Sequence, residues 1–163
     1  MNLKIEIEKK GILHSVKLET FVSGESTKEK EGTLSTMSQA DDDNDDILNE
    51  YMATAKSRVI DLLSGLLECK SPETLLLPDE SNPEKYTYAL SVPCNFDYNQ
   101  KEGIAQGIKD LMVNFILFNW YNATWPDKAR LYQSHIDDSI SNIKHRLNQR
   151  STPIRRPVRP LGF

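Results

Sequence analysis

The segment from Glu102 to Trp125, EGIAQGIKDLMVNFILFNWYNATW, constrains the fold most, because no other stretch is as long, as apolar and as free of turn signals. Ile104, Ile108, Leu111, Phe115 and Phe118 follow alternating steps of four and three, the period of one helix face. Met112, Ile116, Leu117 and Trp120 widen the apolar arc. The spacing predicts a nearly enclosed central helix about 36 Å long, with Phe115 and Phe118 in the core. Asn99 stands where a helix cap belongs, and Glu102 three residues later completes a capping box with Asn in place of Ser or Thr. Lys109, Asp110, Asn114, Asn119 and Asn122 interrupt the apolar run, which argues against a membrane span.

A chain of 163 residues is the size of one domain around one core. Two cysteines, Cys69 and Cys94, are too few for a disulfide framework, and the opening MNLKIEIEKK alternates where a signal peptide has an apolar block. The expectation is an intracellular, thiol-reduced protein without a targeting segment. Its net charge of -4 hides a division: residues 1–100 hold 10 basic and 19 acidic side chains, whereas 101–163 hold 10 basic and 5 acidic. Such polarity suits nucleic acid, an acidic protein surface, or the acidic half of a neighbouring copy.

In chain order, Leu3, Ile5 and Ile7 alternate with charged residues, and Val16, Leu18 and Val22 lie on one parity after Lys9-Lys10-Gly11. This pattern predicts an N-terminal β-hairpin. Residues 23–40 lack periodicity and are rich in Ser, Thr, Glu and Lys, so a flexible loop is expected there. Asp41, Asp43 and Asp45 have the first spacings of a calcium loop. The sixth position is Asp46 in place of Gly and the twelfth is Met52 in place of Glu, so the run DDDNDD is read as acids favoured at a helix N-terminus. Leu48, Met52, Ala55, Val59, Leu62 and Leu66 predict an amphipathic helix over about 42–68. A turn of helix after Ser71 and a proline-bounded loop PDESNP lead to Tyr86, Tyr88, Leu90 and Val92, a strand ending at Pro93 and the natural third strand beside the hairpin.

Trp125-Pro126 breaks the central helix, and a second helix to about Gln149 places Tyr132, Ile136, Ile140, Ile143 and Leu147 on its inner face. His135 and Asp138 share a face there but supply only two metal ligands, and Cys94 and the histidines carry no nucleophile and base signature. No enzyme activity, metal or cofactor is expected. Phe115, Phe118, Trp120, Tyr121 and Trp125 are read as core before they are read as a ligand patch.

Residues 151–163 form a Pro/Arg-rich arm. Pro153, Pro157 and Pro160 favour an extended backbone, Arg155, Arg156 and Arg159 supply charge, and Ile154, Val158, Leu161 and Phe163 supply apolar anchors. These seven charged and apolar residues are the candidate partner-binding set. The expected architecture is α+β and mainly α: three long helices with a small antiparallel sheet in a single domain over 1–150, and an extended arm over 151–163.

Three features together resemble the head-to-tail connector, or neck adaptor, proteins of tailed bacteriophages. They are the acidic opening of a helix in DDDNDDILNEYMATAKSRVIDLL, the helix ending in aromatics before a turn in IKDLMVNFILFNWYNATWPD, and the C-terminal extension. The resemblance covers about residues 41–163, and the N-terminal hairpin and the strand at Tyr86 depart from an all-helical adaptor. It implies a non-enzymatic virion protein assembled in the bacterial cytoplasm as a homo-oligomeric ring, with the portal protein and tail or neck proteins as partners. DNA contact in the channel would be non-specific, and no membrane contact is implied. The alternative is a small nucleic-acid-binding or regulatory module using the basic C-terminal third.

Overall fold

A computed structural model describes residues 2–28, 40, 44–67 and 84–151, with the side chains of 25–28 excluded. In chain order the elements are β1 (Asn2–Glu8), α1 (Lys9–Lys28), α2 (Asp45–Leu63), β2 (Lys85–Ser91), a 3-10 turn at Tyr98–Gln100, α3 (Lys101–Thr124) and α4 (Pro126–Leu147). The fold is α+β and mainly α, with a small antiparallel sheet, as the sequence leads one to expect.

The alternation in β1 turns Leu3, Ile5 and Ile7 inward and leaves Lys4, Glu6 and Glu8 outside. Its antiparallel partner is β2, in the register Leu3 to Leu90, Ile5 to Tyr88 and Ile7 to Tyr86. Each of these pairs buries apolar surface on the core side of the sheet. On the outer side Lys85 Nζ lies 3.7 Å from Glu8 Oε1 and 3.9 Å from Glu6 Oε2. The far edge of β2 is partly covered, since Ser91 N donates to Leu66 O at 2.6 Å.

The predicted second strand of the hairpin is instead helix α1. Its inner face is Ile12, Val16, Thr20 and Ser23, all buried, at steps of four, four and three. Leu18 and Val22, taken with Val16 as one side of a strand, are each 55% exposed. The error is one of period: the polar Thr20 and Ser23 complete the helical face, and an apolar-only reading discards them. Both hydroxyls are satisfied locally, Thr20 Oγ1 by Lys17 O at 3.0 Å and Ser23 Oγ by Glu19 O at 2.7 Å. Thr20 Oγ1 also accepts from Ala40 N at 3.2 Å, which ties the incoming chain to α1. Residues 23–28 of the expected loop thus belong to α1, whereas 29–39 lie outside the described residues.

Helix α2 begins at Asp45 and buries Leu48, Met52, Ala55, Val59 and Leu63. Asp45 and Asp46 occupy its first turn, where the helix dipole favours negative charge. Asp45 Oδ1 meets Lys17 Nζ of α1 at 2.7 Å, so this acid serves an interhelical ion pair.

Central helix α3 packs against β1, α1, α2 and α4. Its buried residues are Ile104, Ile108, Leu111 and Met112, then Ile116, Leu117, Trp120 and Tyr121. The buried arc therefore swings round the helix between its two halves. Phe115 and Phe118, expected in the core, are only half-buried as a result. Phe115 holds the Arg58 guanidinium 5.7 Å above its ring. The expected capping box is absent too: Asp97, not Asn99, is the capping side chain, accepting from Asn99 N at 3.1 Å to start the 3-10 turn that leads into α3.

Trp125-Pro126 breaks the central helix as expected, with Trp125 at φ -151° and ψ 81° and Pro126 in the first turn of α4. Ala129, Tyr132, Ile136, Ile143 and Leu147 form the inner face of α4, with Ile140 half-buried. Two glycines let α4 lie close on α3. A Cβ at Gly107 would come 3.0 Å from Ile143 Cγ1, and one at Gly103 would overlap the Arg146 guanidinium, which crosses there to reach Gln100.

Candidate interaction site

Helices α1 and α4 both lie on α3 without closing on each other, and the gap between them is a cleft of ≈ 440 Å³. Val113, Asn114 and Leu117 of α3 form its floor. Ser15, Leu18 and Glu19 form one wall, and Lys128, Leu131, Tyr132 and His135 the other. Leu18 stays exposed because the buried face of α1, Ile12, Val16, Thr20 and Ser23, lies roughly opposite it. Leu131 sits one residue before the buried Tyr132 and so at the margin of the α4 core face. Both stay about half exposed, Leu18 at 55% and Leu131 at 53%.

A polar knot holds the walls together. Tyr132 Oη donates to Glu19 Oε1 at 2.9 Å. Lys128 Nζ donates to Tyr121 Oη at 3.3 Å and to Ser23 Oγ, and stands 4.5 Å from the Tyr121 ring centre and 5.6 Å from that of Trp125. The rings of Tyr121 and Tyr132 stack at 5.4 Å. Desolvation lowers the Lys128 pKa from its usual value, with the nearby Glu19 carboxylate opposing the shift. Burial pushes the Tyr132 phenol well up, reinforced by its bond to Glu19, and burial raises Tyr121 as well. The cluster is arranged to keep one ammonium among aromatic faces and hydroxyls. Ser23 is buried in mid-helix, and its hydroxyl is committed to Glu19 O, so the Ser23 and Lys128 pair reads as a fastening.

Next to it, past His135, a second depression lies between α3 and α4, bordered by Asp110, Asp138, Ser139 and Asn142. Asn114 Nδ2 donates to Ser139 Oγ at 3.3 Å, and Gln106 Nε2 to Asp110 Oδ1 at 2.7 Å. His135 packs edge-on against Tyr132 with ring centres 5.7 Å apart. His135 and Asp138 thus share this depression, and among the described residues no three His, Cys, Asp or Glu side chains gather as a metal site.

The candidate partner-binding residues Ile154, Arg155, Arg156, Val158, Arg159, Leu161 and Phe163 lie outside the described residues. Just before them, parts of the basic C-terminal region are occupied within the fold. Arg146 Nη1 donates to Gln100 Oε1 at 2.9 Å, and Arg150 Nη1 donates to Leu147 O at 2.9 Å and Gln149 O at 3.1 Å. Of the aromatic set, Trp120 and Tyr121 are core, Phe115 and Phe118 are half-buried, and Trp125 lies at the surface beside Lys128. Cys94 is exposed and has no disulfide partner among the described residues.

The sequence reading missed Leu18, Glu19, Ser23, Lys128 and Leu131. A helical wheel begun at Ile12 would have placed the first three on one helix, but nothing local connects them to the last two. No helix among the described residues is long and apolar enough to cross a membrane. No family model, curated protein or solved structure matches the chain.

Proposed function

We propose that this protein is a structural assembly subunit that binds copies of itself and other proteins, and that it acts as a head-to-tail connector in a tailed phage or prophage particle. The observation that carries the assembly part is the apolar surface left open on α1 and across the cleft. Leu18, Phe21 and Val22 on α1, with Leu131 and Trp125 opposite, are large side chains a third to more than half exposed. Such a group set beside a polar rim is characteristic of protein interfaces. The connector part rests on the layout of helices, turn and C-terminal arm described in the sequence, with the portal and tail or neck proteins as partners and no catalytic step.

The nucleic-acid alternative is weaker on one specific point. Arg146 donates to Gln100, and Arg150 donates to the carbonyls of Leu147 and Gln149, which leaves both less free to neutralise phosphates. Native mass measurement and negative-stain microscopy of the purified full chain test the reading. A closed ring of defined mass that stacks on a portal assembly is the expected result. A monomer that binds duplex DNA tightly with a steep salt dependence would replace it with the alternative.

A further inference from the structure

Among the described residues β1 pairs only with β2, so one edge of the sheet is the side of β1 turned away from β2. In an antiparallel ladder, alternate residues turn their N–H and C=O groups to opposite edges. Lys9 N donates to Glu84 O at 3.0 Å, which continues the register past Glu8 and Lys85, and Ser91 N, opposite Asn2, donates away from β1 to Leu66 O at 2.6 Å. The odd residues of β1 therefore bond β2, and Lys4 and Glu6 aim their peptide groups at the other edge. Tyr98 Oη, donating to Asn2 O at 3.3 Å, closes one end of that edge. Two adjoining hollows of ≈ 290 and ≈ 280 Å³ lie between β1 and α3, and Glu6, Glu102 and Ala105 line both.

We propose that β1 of a second copy pairs antiparallel along this edge, joining two sheets of two strands into one of four. The strand's own charges set the register. A two-fold axis at Ile5 keeps the apolar residues on one side, with Leu3 opposite Ile7, and sets Lys4 of each copy opposite Glu6 of the other. Moving the axis one residue either way sets Lys4 against Lys4 or Glu6 against Glu6, and like charges directly opposite are destabilising. Within one strand Lys4 Nζ already stands 2.9 Å from Glu6 Oε1, and that ammonium lowers the Glu6 pKa. The axis brings two such couples together with their signs alternating.

This self-match is what selects a second copy. The stretches 29–39, 41–43, 68–83 and 152–163 do not repeat the alternation of apolar and charged residues, and 72–83 and 152–163 each hold three prolines, which cannot donate to a ladder. The pairing rests on the self-assembly reading above and adds to it a second surface. Two strands of seven residues bury far less than the ~800 Å² per partner of a stable pair. The contact therefore forms between copies that the α1–α4 surface already holds together, where it is in effect intramolecular.

Disulfide trapping in the full chain tests this. With Cys69→Ser and Cys94→Ser as background, a tagged copy carrying Lys4→Cys is co-expressed with an untagged copy carrying Glu6→Cys, and the purified protein is treated with oxidised glutathione. Both positions are exposed, and in the proposed register their Cα atoms stand about 5.5 Å apart, within the span of a disulfide. The expected product is a covalent pair of one tagged and one untagged chain. It should form in clear excess over the pair obtained when Asn2→Cys, about 13 Å away along the strand, replaces Glu6→Cys. The other charge pair, Glu6 of the tagged copy and Lys4 of the untagged one, remains as a reporter. Glu6→Lys in the tagged copy should remove most of the product, and Lys4→Glu in the untagged copy should then restore it. Equal trapping with Asn2→Cys, a yield unchanged by Glu6→Lys, or an oligomer that forms without trapping would overturn the β1 pairing and leave the assembly reading standing. A chain that is monomeric at every concentration would remove the assembly reading and the pairing together.

Discussion

Tyr132 Oη donates to Glu19 Oε1 at 2.9 Å, joining α4 to α1 across 113 residues of chain. It spans the cleft between two helices that otherwise meet mainly through α3. Removing only the hydroxyl, by Tyr132→Phe, keeps the stack on Tyr121 and leaves the Glu19 carboxylate without this donor. The expected cost is about 1.5–3 kcal/mol, the range for hydrogen bonds to charged groups, read as a lower denaturation midpoint at unchanged slope.

The same phenol makes stability depend on alkaline pH. Its folded pKa lies above the ordinary 10.0, so the folded state holds the proton that the unfolded state releases. The stabilisation is complete below pH 10 and is lost as pH rises from there towards the folded value. Tyr86, Tyr88 and Tyr121 shift in the same direction through burial, and the lowered pKa of Lys128 opposes them below its ordinary 10.5. Thermal melts between pH 9 and 11.5 should fall in Tm above pH 10, and the fall should be shallower in Tyr132→Phe. An identical slope in the variant would show that this phenol is not held protonated by the fold.

Tyr88 offers the opposite case. It is buried on the core face of β2, and its hydroxyl finds no hydrogen-bond partner among the described residues. A buried hydroxyl without a partner costs about 1–3 kcal/mol, so Tyr88→Phe should leave Tm unchanged or raise it. A clear drop in Tm would mean that the hydroxyl has a partner in solution.

Close approach of α4 to α3 depends on Gly107 more than on Gly103. A Cβ at Gly107 meets the buried Ile143, whereas one at Gly103 meets only the end of the flexible Arg146 side chain. Gly107→Val should therefore cost about 1–3 kcal/mol by overpacking. Gly103→Ala should stay within about 1 kcal/mol of the parent, because helix propensity gains offset the displaced arginine. Equal losses at both positions would contradict this account of the α3–α4 contact.

Along α3, Ile116→Ala should cost about 2–5 kcal/mol as a buried truncation. Phe115→Ala should cost less than a full core truncation because its ring is half-buried against Arg58. The reverse order in chemical denaturation would restore the simple constant-period face.

What could be read from the residues depended on whether a pattern was local. The central helix, the break at Trp125-Pro126, the inner face of α4 and the strand from Tyr86 all follow from periodicity or from proline stereochemistry within a few residues. Helix α1 did not, because two of its four inward positions are the polar Thr20 and Ser23, each satisfied by a carbonyl of the preceding turn. Phe115 and Phe118 pack at the margin of the core and not in it, because the buried arc of α3 turns along its length, and that is tertiary information. The cleft is illegible in the sequence for the same reason: Leu18 and Leu131 are separated by most of the chain and line one cleft only because both helices pack on α3.

Sedimentation velocity of the full chain over a concentration series, beside Leu18→Asp and Leu131→Asp, tests the central claim most directly. The account predicts a discrete oligomer for the parent, and monomers for both variants with Tm close to the parent, since each side chain is already about half exposed. A parent that sediments as a monomer throughout, or variants that assemble as the parent does, would contradict it.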